Sequence, residues 1–256
     1  YSEIDEGWEE MRDYFLEIRD RKFTYDKLGK IVSLYEGQGK DFQAIEVYKY
    51  FIKNRPNHRK MPTWMENTIK ARKKIGEFEK TEKAINKAVA YLSQNGTWWK
   101  KNKDNKGARN NAKLLSQASL AFLANKYHRR GQDDGKKADY KKAVEYYKKY
   151  IDRWPNDPAA FDMNFFLGDI YLLKLDKFVK AAEHYQKVVD LYKNDNIPEG
   201  AEEKEIRSMV KDAAYGVVNA YNELVKRNHP DSILVKMAEY EEEHDGEAYQ
   251  AKNKEK

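Results

Sequence analysis

The sequence predicts an all-α fold of stacked helix pairs, and three observations support this prediction. The 256 residues include 6 Pro and 13 Gly, and the segments between them are rich in Ala, Leu, Lys, Glu and Tyr, which favour helices. The alternation of β-branched residues that is typical of strands is almost absent. Three segments share one spacing of small and aromatic residues, which indicates a repeated helical unit.

The three similar segments span residues 41–56, 139–155 and 177–189. Each carries an alanine with a tyrosine four positions later, in the pairs Ala44–Tyr48, Ala143–Tyr147 and Ala181–Tyr185. Residues four apart lie on one face of a helix, and a small alanine lets a neighbouring helix approach closely. We expect Pro56 and Pro155 to end the first two helices, because proline lacks a backbone donor.

A partner helix is predicted before each of these segments. The partners are residues 28–35, 114–127 and 165–172. In the second partner, the inward positions are expected to be Leu115, Ala118, Ala121 and Phe122.

Two further zones fit the same plan of paired helices. Residues 63–93 form a degenerate pair that is broken near Gly76. Residues 203–226 form a long helix, and residues 232–243 form its short partner after Pro230. The apolar face of the long helix is expected to consist of Ala214, Val217, Val218 and Tyr221.

The repeat resembles the tetratricopeptide repeat family. The best match is Leu167-Gly168-Asp169-Ile170-Tyr171, followed by Phe178, Ala181 and Tyr185. The spacing departs from the family pattern, because Ala143 and Ala181 are 38 residues apart rather than about 34. The resemblance implies a right-handed superhelical solenoid of about five to six antiparallel helix pairs.

A single repeat domain over residues 1–243 is expected, with two insertions. Residues 94–111 are interpreted as a long loop between units, and residues 131–137 as an insertion inside a helix pair. Residues 244–256 are expected to form a disordered tail.

Composition excludes several classes of protein. No cysteine occurs, so disulfides and zinc–thiolate sites are excluded. The sequence contains no run of 18 apolar residues, so a membrane-spanning helix is not expected. The net charge is +6, from 49 basic and 43 acidic residues, but both signs are interspersed along the chain. This pattern favours a charged surface over a nucleic-acid-binding patch.

No catalytic constellation, cofactor motif or metal site is apparent in the sequence. The five histidines, His58, His128, His184, His229 and His244, are interpreted as turn or surface residues, because no two have helical ligand spacing. Residues 37–40 resemble a phosphate loop only superficially, and no strand precedes them. The chain is therefore expected to be non-catalytic and to need no cofactor.

The resemblance implies that the first helix of each pair lines a concave, partner-binding face. Aromatic, acidic and amide groups at such positions suit peptide capture, although Phe165 and Leu172 could simply pack against the next helix. Ser116, Leu120 and Leu123 would also face inward. Gly29 and Ser33 replace the Lys and Asn with which chaperone-binding family members grip a terminal carboxylate, which argues against that class of partner. The candidate residues are Asp162, Phe165, Asp169, Leu172, Asp212, Tyr215, Asn219 and Asn222.

A second candidate surface is the basic segment Trp98, Trp99, Lys100 and Lys101. Paired exposed tryptophans would be favourable binding anchors. Four interpretations are open: one or both indoles cap the core, or the segment contacts a protein, a membrane surface or nucleic acid.

These observations predict a protein–protein interaction scaffold or adaptor within a larger assembly. Residues 154–158 and 213–218 resemble repeat proteins of the Gram-negative envelope, of the Tol–Pal-associated and outer-membrane assembly type. That resemblance implies a periplasmic or outer-membrane-associated location, with the cytoplasm as the alternative. The chain begins at Tyr1 rather than Met, so a removed leader or anchor is expected. The alternative functions are a nucleic-acid-binding helical repeat and a regulatory fragment of a larger enzyme.

Overall fold

Helices make up all the regular secondary structure in the described part of the chain. The computed structural model describes residues 7–198 and 200–227, and this part confirms the all-α prediction. Its helices are α1 (Gly7–Ile18), α2 (Arg21–Gly37), α3 (Asp41–Asn54), α4 (Met61–Lys74), α5 (Phe78–Tyr91), α6 (Thr97–Lys101), α7 (Lys106–Asp134), α8 (Lys137–Ile151), α9 (Ala159–Leu173), α10 (Phe178–Lys193) and α11 (Glu203–Lys226).

Short turns join most consecutive helices into pairs. Residues 38–40 join α2 to α3, residues 75–77 join α4 to α5, residues 135–136 join α7 to α8, and residues 174–177 join α9 to α10. Connections of two to five residues produce antiparallel helix pairs. The predicted repeat plan is confirmed for these four pairs, including the break near Gly76, whose φ of 77° suits glycine. The predicted helix at residues 232–243 and the predicted tail lie outside the described residues.

The chain divides into two compact units, with the boundary between Leu120 and Ala121 inside α7. In the first unit, consecutive helices from α1 to α5 pack against one another. In the second unit, α8 packs on α9, α9 on α10 and α10 on α11, and α9 also contacts α11. A single domain over residues 1–243 stays a prediction.

Local sequence signals explain several helix ends. Asp20 caps α2, since its carboxylate accepts a hydrogen bond from the backbone N–H of Phe23 at 2.8 Å. Pro62 occupies the first turn of α4, where a missing backbone donor costs nothing. Helices α3 and α8 end shortly before Pro56 and Pro155, as predicted.

The two predicted insertions stay predictions, but the interpretation of residues 94–111 as a long loop is wrong. Residues 94–111 contain the short helix α6, and α7 begins at Lys106. Residues 131–134 belong to α7, so that only Gly135 and Lys136 lie in the turn. Gly131 is buried, and a Cβ at this position would lie 3.0 Å from the ring of Tyr140. This glycine therefore permits close helix packing rather than breaking the helix.

The predicted faces of two helices need correction. In α7, Leu115 is buried, but Ala118 is exposed; Ser116, Leu120 and Leu123, expected on an open inner surface, are buried. In α11, Ala214 and Val218 are exposed, and Val217 and Tyr221 are half-buried. The buried residues of α11 are Ile206, Ala213, Gly216, Ala220 and Leu224. The buried face is therefore offset by about one residue from the predicted one, and Gly216 on this face contacts the ring of Tyr185 on α10.

Candidate protein-binding surface

The candidate residues of the second unit lie on two helices that contact one another, α9 and α11. We call these eight residues the α9–α11 surface. The four on α9 are half-buried, whereas the four on α11 are exposed. Tyr215 is 60% exposed, which is unusual for a large aromatic side chain. The members are Asp162, Phe165, Asp169 and Leu172 on α9, and Asp212, Tyr215, Asn219 and Asn222 on α11.

The side chain of Tyr185 on α10 holds α9 and α11 in place. Its ring contacts both Gly168 and Gly216: a Cβ added at Gly168 would lie 2.6 Å from the ring, and one at Gly216 would lie 2.7 Å from it. Phe165 meets the ring edge to face, with centroids 5.8 Å apart. The phenol donates a 2.5 Å hydrogen bond to Oδ1 of Asp169. Tyr185 therefore fixes the base of the α9–α11 surface.

The carboxylates of this surface give it a negative electrostatic character. Burial raises the pKa of Asp169, and the nearby charge of Asp212 raises it further, while the hydrogen bond from Tyr185 opposes the shift. Burial also raises the pKa of Asp162. Within the described part of the chain, Asp162, Asp169 and Asp212 take part in no ion pair. An incoming cationic group could therefore pair with them without displacing an existing cation.

A buried tyrosine recurs at the equivalent position of three pairs. The phenol of Tyr48 on α3 donates to Glu36 at 2.7 Å and accepts from Asn67 at 2.6 Å. The phenol of Tyr147 on α8 donates to Asn125 at 2.8 Å. In Tyr48, Tyr147 and Tyr185, burial raises the pKa of the phenol. The sequence signal was the tyrosine four residues after the repeat alanine, but its hydrogen-bonding role was not predicted.

The three histidines in the described residues, His58, His128 and His184, all contact other side chains, and His184 is not the turn or surface residue that was predicted. It is 7% exposed, lies on the ring of Tyr171 and has Nδ1 2.8 Å from Oδ1 of Asn164. Burial lowers its pKa to about 4. His128 is half-buried beside Tyr147, with Nδ1 3.2 Å from the phenol oxygen. His229 and His244 lie outside the described residues.

Trp98 belongs to the core of the first unit. It is 1% exposed, and its indole N–H donates to the backbone carbonyl of His58 at 2.9 Å. The interpretation in which one indole packs in the core therefore holds for Trp98, which is unavailable as a binding anchor.

Trp99, Lys100 and Lys101 keep more solvent access than Trp98. Trp99 is half-buried, and the guanidinium of Arg109 lies 4.3 Å from its ring centroid. The two lysines are exposed on α6. Their role in binding stays a prediction.

The described residues contain neither a cluster suited to a metal ion nor a helix suited to spanning a membrane. No group of three or more His, Asp or Glu side chains there could hold a metal ion. None of the helices in residues 7–198 and 200–227 combines the length and apolar character needed to cross a bilayer.

Comparison with known families gives a match to a repeat family. The sequence model of the tetratricopeptide repeat matches residues 28–58 and 117–157. The first match covers most of α2 and all of α3, and the second covers the later part of α7, all of α8 and the turn after it. The pair α9–α10, which carries the best motif match in the sequence, lies outside both. No curated protein matches the sequence. Residues 28–58 and 117–157 are therefore similar to the tetratricopeptide repeat, a module that generally mediates protein–protein interactions.

Proposed function

We propose that this protein is a non-catalytic scaffold that captures a protein partner on the α9–α11 surface. The observation that carries the proposal is the exposed ring of Tyr215 beside carboxylates that lack cationic partners in the described part of the chain. Aromatic side chains are frequent binding anchors, and carboxylates on the same surface add electrostatic steering. A partner segment with basic residues and an apolar anchor fits this chemistry.

Selection of displayed random peptides against the chain tests the proposal. We expect enriched peptides to combine Lys or Arg with a large apolar residue. Their binding should be lost in the double variant Asp212→Lys/Tyr215→Ser. Both side chains are exposed, so these substitutions leave the core intact.

The matched control is Glu183→Lys, an equal change of charge at an exposed position of α10. This variant should bind the selected peptides as the wild type does. Equal binding by all three proteins would show that the peptides use another surface and would contradict the proposal.

We further propose that the scaffold works in the bacterial cell envelope, as a periplasmic or outer-membrane-associated assembly component. The support is the resemblance of residues 154–158 and 213–218 to envelope repeat proteins. Cell fractionation of the source organism, followed by detection with an antibody against this chain, tests the location. Recovery in the cytoplasmic fraction alone would contradict it.

A further inference from the structure

A groove of about 620 Å³ lies between α3, α4 and α5 in the first unit. We call it the α3–α5 groove. Its floor is largely apolar, with Ile52, Met65, Ala84 and Tyr91 among the lining side chains. The volume lies within the range of about 300–1,000 Å³ that is typical of ligand sites. The phenol of Tyr91 donates to the backbone carbonyl of Pro56 at 2.7 Å, which fixes one end of the floor.

Two rows of lysines border this groove. Lys49 and Lys53 lie on α3, while Lys80, Lys83 and Lys87 lie on α5. Residues four apart on a helix are separated by about 6 Å along its axis, so each row presents a positive charge roughly once per helical turn. The lining therefore combines an apolar floor with a cationic border on both sides.

Part of this positive charge is uncompensated. Lys49 pairs with Glu46 at 2.5 Å, and Lys80 pairs with Glu77. Lys53, Lys83 and Lys87 are exposed and form no ion pair within the described ranges. The free cations thus lie on both of the facing helices.

We propose that the α3–α5 groove binds an acidic amphipathic helix of a partner protein. The apolar stripe of such a helix would cover the floor. Glu or Asp side chains at four-residue spacing on both flanks of the stripe would then follow the two lysine rows. The two walls, α3 and α5, have 14 residues each, or about 21 Å, which accommodates three to four turns of a bound helix.

The chemistry of the groove favours this occupant over two others. A fatty acid carries one carboxylate and would neutralise one lysine, whereas the cations extend along both walls. A nucleic acid strand needs stacking platforms as well as cations, and the one aromatic ring among the groove's lining residues, Tyr91, is tied by its phenol to Pro56. This site goes beyond the proposed function, because it lies in the other unit and selects a partner of opposite charge.

Fluorescence anisotropy with a labelled designed peptide tests the proposal. The peptide has about 16 residues, with Leu at three- and four-residue spacing and Glu on both flanks of the Leu stripe. Binding is expected to weaken as salt rises, because part of the attraction is electrostatic. The same peptide with Lys in place of Glu is expected not to bind. Binding of both peptides with equal affinity, or of neither, would overturn the proposal.

Two variants and a control locate the site. Lys83→Glu/Lys87→Glu should raise the dissociation constant at least about tenfold, and Ala84→Phe should weaken binding by filling the floor. Lys22→Glu/Lys30→Glu makes the same change of charge at exposed positions of α2 and should alter the constant less than about twofold. Circular dichroism checks that every variant is folded. Equal losses in both charge variants would indicate attraction to net charge alone and would overturn the proposal.

Competition identifies the class of occupant. A single-stranded oligonucleotide or oleate that displaces the peptide and binds more tightly would overturn the assignment to an acidic helix. Asp212→Lys/Tyr215→Ser should bind the designed peptide as the wild type does. The failure of this inference can therefore be distinguished from the failure of the proposed function.

Discussion

Replacing Gly216 by alanine separates helix propensity from packing around Tyr185. In an open helical position, glycine to alanine stabilises a protein by about 0.5–1 kcal/mol, since the unfolded chain loses conformational freedom. Gly29 in α2 is such a position, because a Cβ there would have no neighbour within 4 Å. At Gly216, the added Cβ would lie 2.7 Å from the ring of Tyr185.

The expected cost follows from this distance. Carbon atoms prefer separations of about 3.5–4.0 Å, so the ring would have to move by about 1 Å. On another side it contacts Gly168, and its phenol is bonded to Asp169. Overpacking of this kind costs about 1–3 kcal/mol. After the propensity gain of about 0.5–1 kcal/mol is subtracted, Gly216→Ala should lower the free energy of unfolding by about 1 kcal/mol, within a range of about 0–2.5 kcal/mol.

Urea unfolding followed by circular dichroism measures the effect. Gly29→Ala is the control and should raise the free energy of unfolding. In a Tyr185→Ala background the clash is absent, so Gly216→Ala should become neutral or stabilising. If Gly216→Ala stabilises the protein containing Tyr185 as much as Gly29→Ala does, the ring is not confined between α9 and α11, and the reasoning is refuted.

Three further predictions concern buried and half-buried residues of the two units. Burial holds the pKa of His184 at about 4 in the folded chain, whereas it is about 6.5 in the unfolded chain. The stability that the protein has above pH 6.5 should therefore fall by on the order of 2–3 kcal/mol as the pH drops towards 4. Urea unfolding across this range checks the loss, which His184→Gln should reduce. Trp98→Ala should cost about 3–5 kcal/mol in thermal unfolding, whereas Trp99→Ala should cost less than about 2 kcal/mol; equal costs would contradict the burial difference. Because burial raises the pKa of Asp162, Asp162→Asn should raise the free energy of unfolding at pH 7, and a decrease would mean that the carboxylate has a stabilising partner.

Local spacing was sufficient to predict the helix pairs. The repeat alanines, such as Ala44 and Ala181, and the tyrosines four positions later, are neighbours on a single helix, so their relation is visible in the sequence. The proline stop at Pro56 is equally local. These signals needed no knowledge of which helices meet.

The incorrect predictions from the sequence concern positions whose environment depends on residues far away in the chain. Gly131 and Gly216 were not recognised as packing positions, because the rings that require them, those of Tyr140 and Tyr185, belong to other helices. Trp98 was a candidate anchor because its own segment is polar, whereas its burial depends on His58, 40 residues away. The eight residues of the α9–α11 surface could be placed on two contacting helices, but their exposure could not be ranked from periodicity.

The recurring tyrosine phenols have a consequence for the entropy of binding. Glu36, Asn125 and Asp169 each accept a hydrogen bond from such a phenol. Their side chains are thus restrained before any partner arrives. Immobilising a free polar side chain costs about 0.5–1.5 kcal/mol on association, and a partner that contacts any one of these groups would avoid much of that cost. The tyrosines that pack between the helices therefore also preorganise the polar side chains that accept their hydrogen bonds.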